Sequence, residues 1–214
     1  MSTTPTIPTL NLAEASARLA TFLARGKRTL LGIVGPPGAG KSTLAEQLQA
    51  LHPERSQIVP MDGYHLANVE LARLGRAGRK GAPDTFDSHG YVALLHRLRD
   101  QGADEIVYAP TFRREIEEPI AGAIPIHPHA ELLIAEGNYL AHDEGGWRHV
   151  AALMDEIWFV DVDPALRLQR LVARHMQFGR SEQQARDWVA VTDEPNARLI
   201  EATASRASFK VRVD

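Results

Sequence analysis

The stretch that most constrains this chain is Gly35 to Thr43, which reads Gly-Pro-Pro-Gly-Ala-Gly-Lys-Ser-Thr. Gly35, Gly40, Lys41 and Ser42 satisfy G-x-x-x-x-G-K-[ST], between an apolar run from Thr29 to Val34 and a helical pattern from Leu44 to Leu51. Strand, glycine-rich turn and helix in that order are the context in which this pattern cradles phosphate. Backbone N–H groups turn inward at phosphate oxygens, and the positive dipole end of the following helix faces the same anion. Gly35, Gly38 and Gly40 allow positive φ and close backbone approach, while Pro36, Pro37 and Ala39 complete the loop. Lys41 is expected between the β- and γ-phosphates, Ser42 at the magnesium ion, and the helix proper from Thr43. ATP and Mg2+ are the cofactors this implies.

A chain of 214 residues suits one large α/β domain and not two. A net charge of −3 gives no broad basic field, so nucleic acid is not expected as the main partner. The absence of cysteine excludes disulfides, thiolate metal sites and cysteine nucleophiles. No apolar run is long enough to span a bilayer and the first residues lack a basic segment leading into an apolar one. No membrane partner is therefore expected, and the cytoplasm, where ATP is available, is the expected location.

Residues 1–9, rich in Thr and Pro, read as a mobile tail. Asn11 with Glu14 forms a capping-box pattern, and Leu12, Ala15, Leu19, Phe22 and Leu23 predict a helix that ends at Gly26 and covers the sheet. Residues 1–28 are thus a tail and covering helix, and 29–214 the phosphate-loop domain. Gln57 to Met61 predicts a second strand, which delivers Asp62, Tyr64 and His65 to the sheet edge where open α/β folds bind ligands. A carboxylate at Asp62 can accept the proton of an attacking hydroxyl; a helix N-cap is the alternative.

Arg73, Arg76, Arg79 and Lys80 form either a solvated loop or a basic rim for an anion. Pro83, Asp84 and Phe86 lie in a compact turn that suits substrate binding, or that only starts a helix capped by Ser88. Asp87 to Gly90 spells D-x-x-G, but no apolar strand precedes it and no N-K-x-D occurs. Tyr91, Leu94, Leu95 and Leu98 predict an amphipathic helix. A strand from Glu105 to Ala109 leads to Arg113 and Arg114, which reach the cleft or face water, and Pro119 to Pro128 suggests a small antiparallel excursion.

Leu132 to Ala135 predicts a strand buried on both faces that ends at Glu136. Glu136 is placed to order magnesium and water, or to bond a neighbouring loop, and Gly137 and Asn138 turn the chain past the phosphates. After a strand from Glu156 to Val160, Pro164 starts a helix with Arg167, Arg170 and Arg174 on one face. That face reads as a lid, about 164–190, whose arginines neutralise the transferring phosphoryl group, or as a solvated surface. Ser181 caps a helix through Trp188, 195–204 is helical, and Phe209, Val211 and Val213 share one side of a last strand. His127 and His129 carry no role.

In sequence, GPPGAGKST, MDGYHL, GAPDTFD, a strand ending in EGNYL, and DPALRLQRLVARH together resemble the phosphoribulokinase and uridine kinase family of P-loop kinases, which includes bacterial pantothenate kinase. Within that family the chain looks most like bacterial proteins described as fructose transport system kinases. The resemblance runs from about Thr29 to the C-terminus. It implies ATP-dependent transfer to a hydroxyl of a small molecule, with Asp62 as base, Glu136 at the end of the Walker B strand, and Arg167, Arg170 and Arg174 on the lid. Tyr64, His65, Pro83, Asp84 and Phe86 fall on acceptor-side positions. Related sequences often carry an aromatic-Asp pair where this chain has Phe112 and Arg113.

The fold expected is a P-loop three-layer α/β sandwich with a mostly parallel, about five-stranded central sheet and a helical lid. The function expected is phosphorylation of an alcohol group, with Lys41, Asp62, Arg170 and Arg174 catalytic and Arg114, Glu136 and Asn138 also on the acceptor. A sugar is the leading acceptor, a uridine-like nucleoside or pantothenate the alternatives. A non-catalytic ATP-binding sensor is the reading from another class. A homodimer is left open.

Overall fold

Alternation along the strand from Thr29 to Val34 divides the molecule: Leu31 and Ile33 face one layer of helices, Leu30 and Val34 the other. The computed structural model describes residues 7–212. The chain order is β1 (Thr9–Leu10), α1 (Leu12–Leu23), β2 (Thr29–Val34), α2 (Lys41–Leu51), β3 (Ser56–Pro60), α3 (Asn68–Arg73) and α4 (Ser88–Arg99). It continues with β4 (Val107–Arg113), β5 (Glu118–Ile126), β6 (Leu132–Gly137), β7 (Glu156–Asp161), α5 (Pro164–Gln177), α6 (Glu182–Trp188), α7 (Glu194–Glu201) and β8 (Phe209–Arg212).

Six strands pair in the order β1-β8-β7-β2-β6-β3, every pair parallel. The expected five become six because Thr9–Leu10 pairs with β8 at the edge. Two residues are too few to show an alternating pattern, so the sequence reads them as tail. The rest of that tail, residues 1–6, lies outside the described residues, as does Val213 of the last strand. The register sets Ile33 and Pro60 beside Glu136, so β2, β6 and β3 end level with one another. This parallel, doubly covered sheet places its ligand edge at the C-terminal strand ends.

One face packs on α1 and α2 through Leu19, Phe22, Leu44 and Leu48, and the other on α4 through Tyr91, Leu94, Leu95 and Leu98. The capping box at Asn11 and Glu14 is formed. Leu12 is 45% exposed, on the side of α1 away from the sheet, and does not join its core. α2 starts at Lys41, two residues before the sequence reading. α4 is capped by Asp87, whose carboxylate accepts from the Gly90 N–H, and not by Ser88, which is the first helical residue. β4 and β5 form a separate antiparallel hairpin, the excursion expected near Pro119. No helix among the described residues is long and apolar enough to cross a membrane.

Since α1 supplies a continuous part of the core, it belongs to the folding unit. Leu19→Ala, at a fully buried site, is expected to cost about 3 kcal/mol, read as a lowered denaturant midpoint at unchanged slope.

Candidate active site

Three adjacent strand ends bring the charged groups together: β2 leads into the phosphate loop, β6 carries Glu136, and β3 leads through Met61 to Asp62. Asp62 begins a single helical turn at Asp62–Tyr64 that packs under β4, where a side chain on Gly63 would stand 2.4 Å from the Pro110 carbonyl oxygen. This close approach lays the hairpin over the strand ends and lets Arg114 reach Asp62 at 3.0 Å. Backbone bonds from Leu66 N to Thr85 O (2.9 Å) and Asp87 N to Tyr64 O (2.8 Å) join the two motif loops MDGYHL and PDTFD. His65 is thereby held between Phe86 and Phe112, at ring centroid distances of 3.9 and 4.5 Å. Its Nδ1 lies 2.7 Å from the Asp62 carbonyl; a carbonyl only accepts, so Nδ1 carries the proton.

Two neighbouring cavities share Lys41, Ser42 and Arg174. The smaller, about 210 Å³, lies over the phosphate loop against Gly38, Gly40, Thr43 and Arg170. The larger, about 370 Å³, is reached by Asp62, His65, Phe86, Arg114, Glu136 and Asn138. Lys41 is 9% exposed and donates to the Pro36 carbonyl at 3.1 Å. Burial pushes its ammonium down to about 8, against the pull of Glu136 and Asp62. Burial, then Asp62, pushes the Glu136 carboxyl up to about 7. Burial alone would raise Asp62 as well, but His65, Arg114, Lys41 and Arg174 outweigh it and hold Asp62 below the usual carboxylate range. Asp62 is therefore ionised near neutral pH. Arg114 engages its Oδ2, and Oδ1 has no partner among the described residues.

Several residues lie elsewhere than the sequence suggests. Tyr64 turns into the core and meets Tyr91 edge-on at 5.3 Å. Pro83 and Asp84 line a separate cavity behind Phe86. The Pro83 carbonyl accepts from Trp147 at 3.0 Å, and Asp84 is gripped by Arg79 at 2.6 Å and Arg76 at 3.4 Å. Arg113 faces water beside Glu115, whereas Arg114 turns in. Arg167 is 3% exposed and lines neither cavity; it binds Glu194 of α7 and the Pro37 carbonyl. It clasps α5 to the loop, and a Cβ at Gly38 would lie 2.7 Å from Leu171 of the same helix. Gly38 and Gly40 take positive φ, +80° and +91°; Gly35 does not, and instead lies close under Val160.

Sequence reasoning missed Asn68, Phe112, His175, Asp193 and Asn196 in the larger cavity, and left Lys80 undecided. Asp193 lies in a π-turn, Val189–Asp193, and meets His175 at 2.8 Å. π-turns recur at functional sites, but no short sequence pattern announces one. A magnesium ion fits the oxygen donors present. The Ser42 hydroxyl and Glu136 carboxylate face one cavity, and Mg2+ takes few protein oxygens while water and phosphate fill the rest. Among the described residues no cluster of three or more His, Cys, Asp or Glu forms a closed metal site.

No family model matches the chain. An ATP-dependent kinase-like protein of Aspergillus versicolor, notR', is 41% identical over 125 residues, 56% of this chain and 73% of its own. A candidate uridine kinase of Schizosaccharomyces pombe is 33% identical over 175 residues, 78% of this chain and 74% of its own. A pantothenate kinase of Levilactobacillus brevis, at 28% identity over 156 residues, and a YFH7 kinase of Vanderwaltozyma polyspora, at 26% over 186 residues, match less closely. Among solved structures, a candidate fructose transport system kinase from Silicibacter sp. TM1040 superposes with a TM-score of 0.85 at 37% identity, covering 94% of this chain and 98% of its own.

The geometry separates two arginines of α5. Arg167→Ala is expected to lower stability by about 3 kcal/mol or more, because it strands a half-buried carboxylate. Arg170→Ala, on a cavity wall, is expected to stay within about 0.5 kcal/mol of the parent protein. Denaturant titration of both variants checks this.

Proposed function

This chain belongs to the P-loop kinases of the uridine kinase, pantothenate kinase and YFH7 type, and on that premise we propose that it transfers the γ-phosphoryl group of ATP to a hydroxyl of a small molecule. The observation that carries the proposal is the free Oδ1 of an ionised Asp62 in the cavity that also receives Lys41, Ser42 and Arg174. An acceptor hydroxyl bound between Asp62 and the phosphate loop donates its hydrogen bond to Oδ1, which aims an oxygen lone pair at phosphorus. The new bond joins that oxygen to phosphorus as the bond to the departing diphosphate breaks, and the hydroxyl proton passes to Asp62. A carboxylate held below the ordinary range is a weak base, so its contribution lies in orientation and late proton acceptance, as a loose phosphoryl-transfer transition state requires.

Lys41, Arg170 and Arg174 stand where negative charge moves from the γ- to the β-phosphate oxygens, and fixed cations there stabilise the transition state more than the ground state. Ser42 and Glu136 would hold magnesium, which when bound would supply neutralisation of phosphate charge. Main-chain amides of Gly35 to Thr43 fix the triphosphate, and the walls of α5 and the β4–β5 hairpin keep water from competing as acceptor. A sugar acceptor draws support from the name of the Silicibacter neighbour, a nucleoside from that of the S. pombe relative.

Incubation with γ-labelled ATP, magnesium and a panel of sugars, nucleosides and pantothenate is expected to give a labelled phosphate ester. Asp62→Asn is expected to lower kcat by a factor on the order of 10² or more with ATP affinity nearly unchanged. A non-catalytic ATP sensor gives no labelled ester with any acceptor. Loss of ATP binding in the Asn variant, or full activity, removes Asp62 from this role. Lys41→Ala is expected to damage nucleotide binding or transfer.

A further inference from the structure

The acceptor end of the larger cavity holds cationic charge that chemistry at phosphorus does not use. A line of contacts leads away from Asp62. Arg114 pairs with it at 3.0 Å, the Arg114 guanidinium lies 5.6 Å from the centre of the Phe112 ring, and Lys80 Nζ lies 5.1 Å from the same centre. Lys80 lines the larger cavity and not the smaller one over the phosphate loop, and it shares the Phe112 ring with Arg114.

The partners of Lys80 are unlike those of its neighbours. Arg73 pairs with Glu70, and Arg76 and Arg79 both pair with Asp84, so each outward arginine of this stretch has a carboxylate. Lys80 turns inward and donates to the Asn68 side-chain oxygen at 2.6 Å and to the Glu117 main-chain carbonyl, both neutral. No carboxylate lies within ion-pair distance of it among the described residues. The nearest, Glu117 and Glu118, act on it through space, while burial lowers its ammonium below the usual lysine range. Arg180, on the same cavity, is stacked 3.9 Å over the Trp188 ring and likewise lacks a carboxylate partner among the described residues.

The direct hydrogen-bond partners of this partly buried ammonium are neutral, Glu117 and Glu118 act on it only from beyond ion-pair distance, and a charge-assisted contact is stronger than a neutral one. A neutral polyol or nucleoside brings no such contact. We infer that the acceptor is itself an anion, with the hydroxyl to be phosphorylated at Asp62 and a carboxylate or phosphate group at its other end, received by Lys80 and by the Arg114 N–H groups that have no partner among the described residues. This rests on the kinase reading for the hydroxyl end and replaces a neutral sugar with an acidic or phosphorylated relative of one. Arg114 lies between the two ends, where it screens the acceptor anion from the triphosphate.

The test uses congeners that differ only in charge: sorbitol, gluconate and sorbitol 6-phosphate as one set, pantothenyl alcohol and pantothenate as another. Transfer from γ-labelled ATP is followed, with binding to the ADP-loaded protein by calorimetry. A charged member is expected to exceed its neutral congener by about tenfold or more in kcat/KM, the value of a charge-assisted contact. Preference for gluconate and pantothenate identifies a carboxylate, and preference for sorbitol 6-phosphate a phosphate. Lys80→Gln is expected to collapse that ratio toward one, and Lys80→Arg to restore it. A lysine that only ties α3 to the hairpin would change thermal stability and leave the ratio as it was. Equal or better use of the neutral congeners, or a ratio untouched by Lys80→Gln, overturns the inference while the kinase reading stands. No transfer to any acceptor, together with no binding of the charged members, overturns both.

Discussion

Lys41 is folded into the protein with one main-chain carbonyl as its hydrogen-bond partner among the described residues, and the design of the site follows from that. An ammonium so placed loses most of its hydration, and the two carboxylates that act on it recover only part of the loss. Those carboxylates are present because three parallel strands end level, Ile33 and Pro60 flanking Glu136 in register. Strand register, a property of backbone pairing, thus fixes a cluster of Lys41, Glu136 and Asp62 that no local sequence rule specifies. Arg114 and Arg174 then tip the balance of the cluster toward positive charge, which is what a bound polyphosphate requires.

The parts legible in the sequence are those where chemistry and backbone coincide. The phosphate loop, Asp62 after β3 and Glu136 at the end of β6 are readable because a strand end dictates where its last residue points. The illegible parts depend on side-chain direction out of irregular loops. Arg113 is the last residue of β4 and faces water, while Arg114, the first residue of the turn that follows, reaches Asp62. Asp84 and Pro83 look like acceptor contacts by position, but Arg79 and Trp147 hold them on the far side of Phe86. Lys80 and Asn68, separated by a loop, meet only because both reach the hairpin turn at Glu117.

The arginines of α5 illustrate the same limit on a regular element. Spacing at i, i+3 and i+7 puts Arg167, Arg170 and Arg174 on one stripe, yet their surroundings differ. The helix crosses the phosphate loop at an angle, pressed onto Gly38 through Leu171 and the Arg167 carbonyl. The first arginine is therefore buried beneath the crossing, the second faces the cavity over the loop, and the third reaches the space shared by both cavities. Periodicity gives the stripe, and tertiary packing decides what each position on it meets.

This crossing also limits how the segment 164–190 can act as a cover. Its first two turns are fixed by the Arg167 clasp to Glu194 and by contact at Gly38, so displacing them would expose a buried guanidinium and open the phosphate loop itself. The part beyond Leu171 is held differently. His175 meets Asp193 in the π-turn, and Arg180 lies on Trp188 across the short α6. Both contacts are polar or stacked pairs, not core packing, and they belong to the residues that line the larger cavity. Core packing is thus concentrated in the part of the segment up to Leu171, Arg170 included, while Arg174 lies in the part held by polar and stacked pairs at the cavity wall.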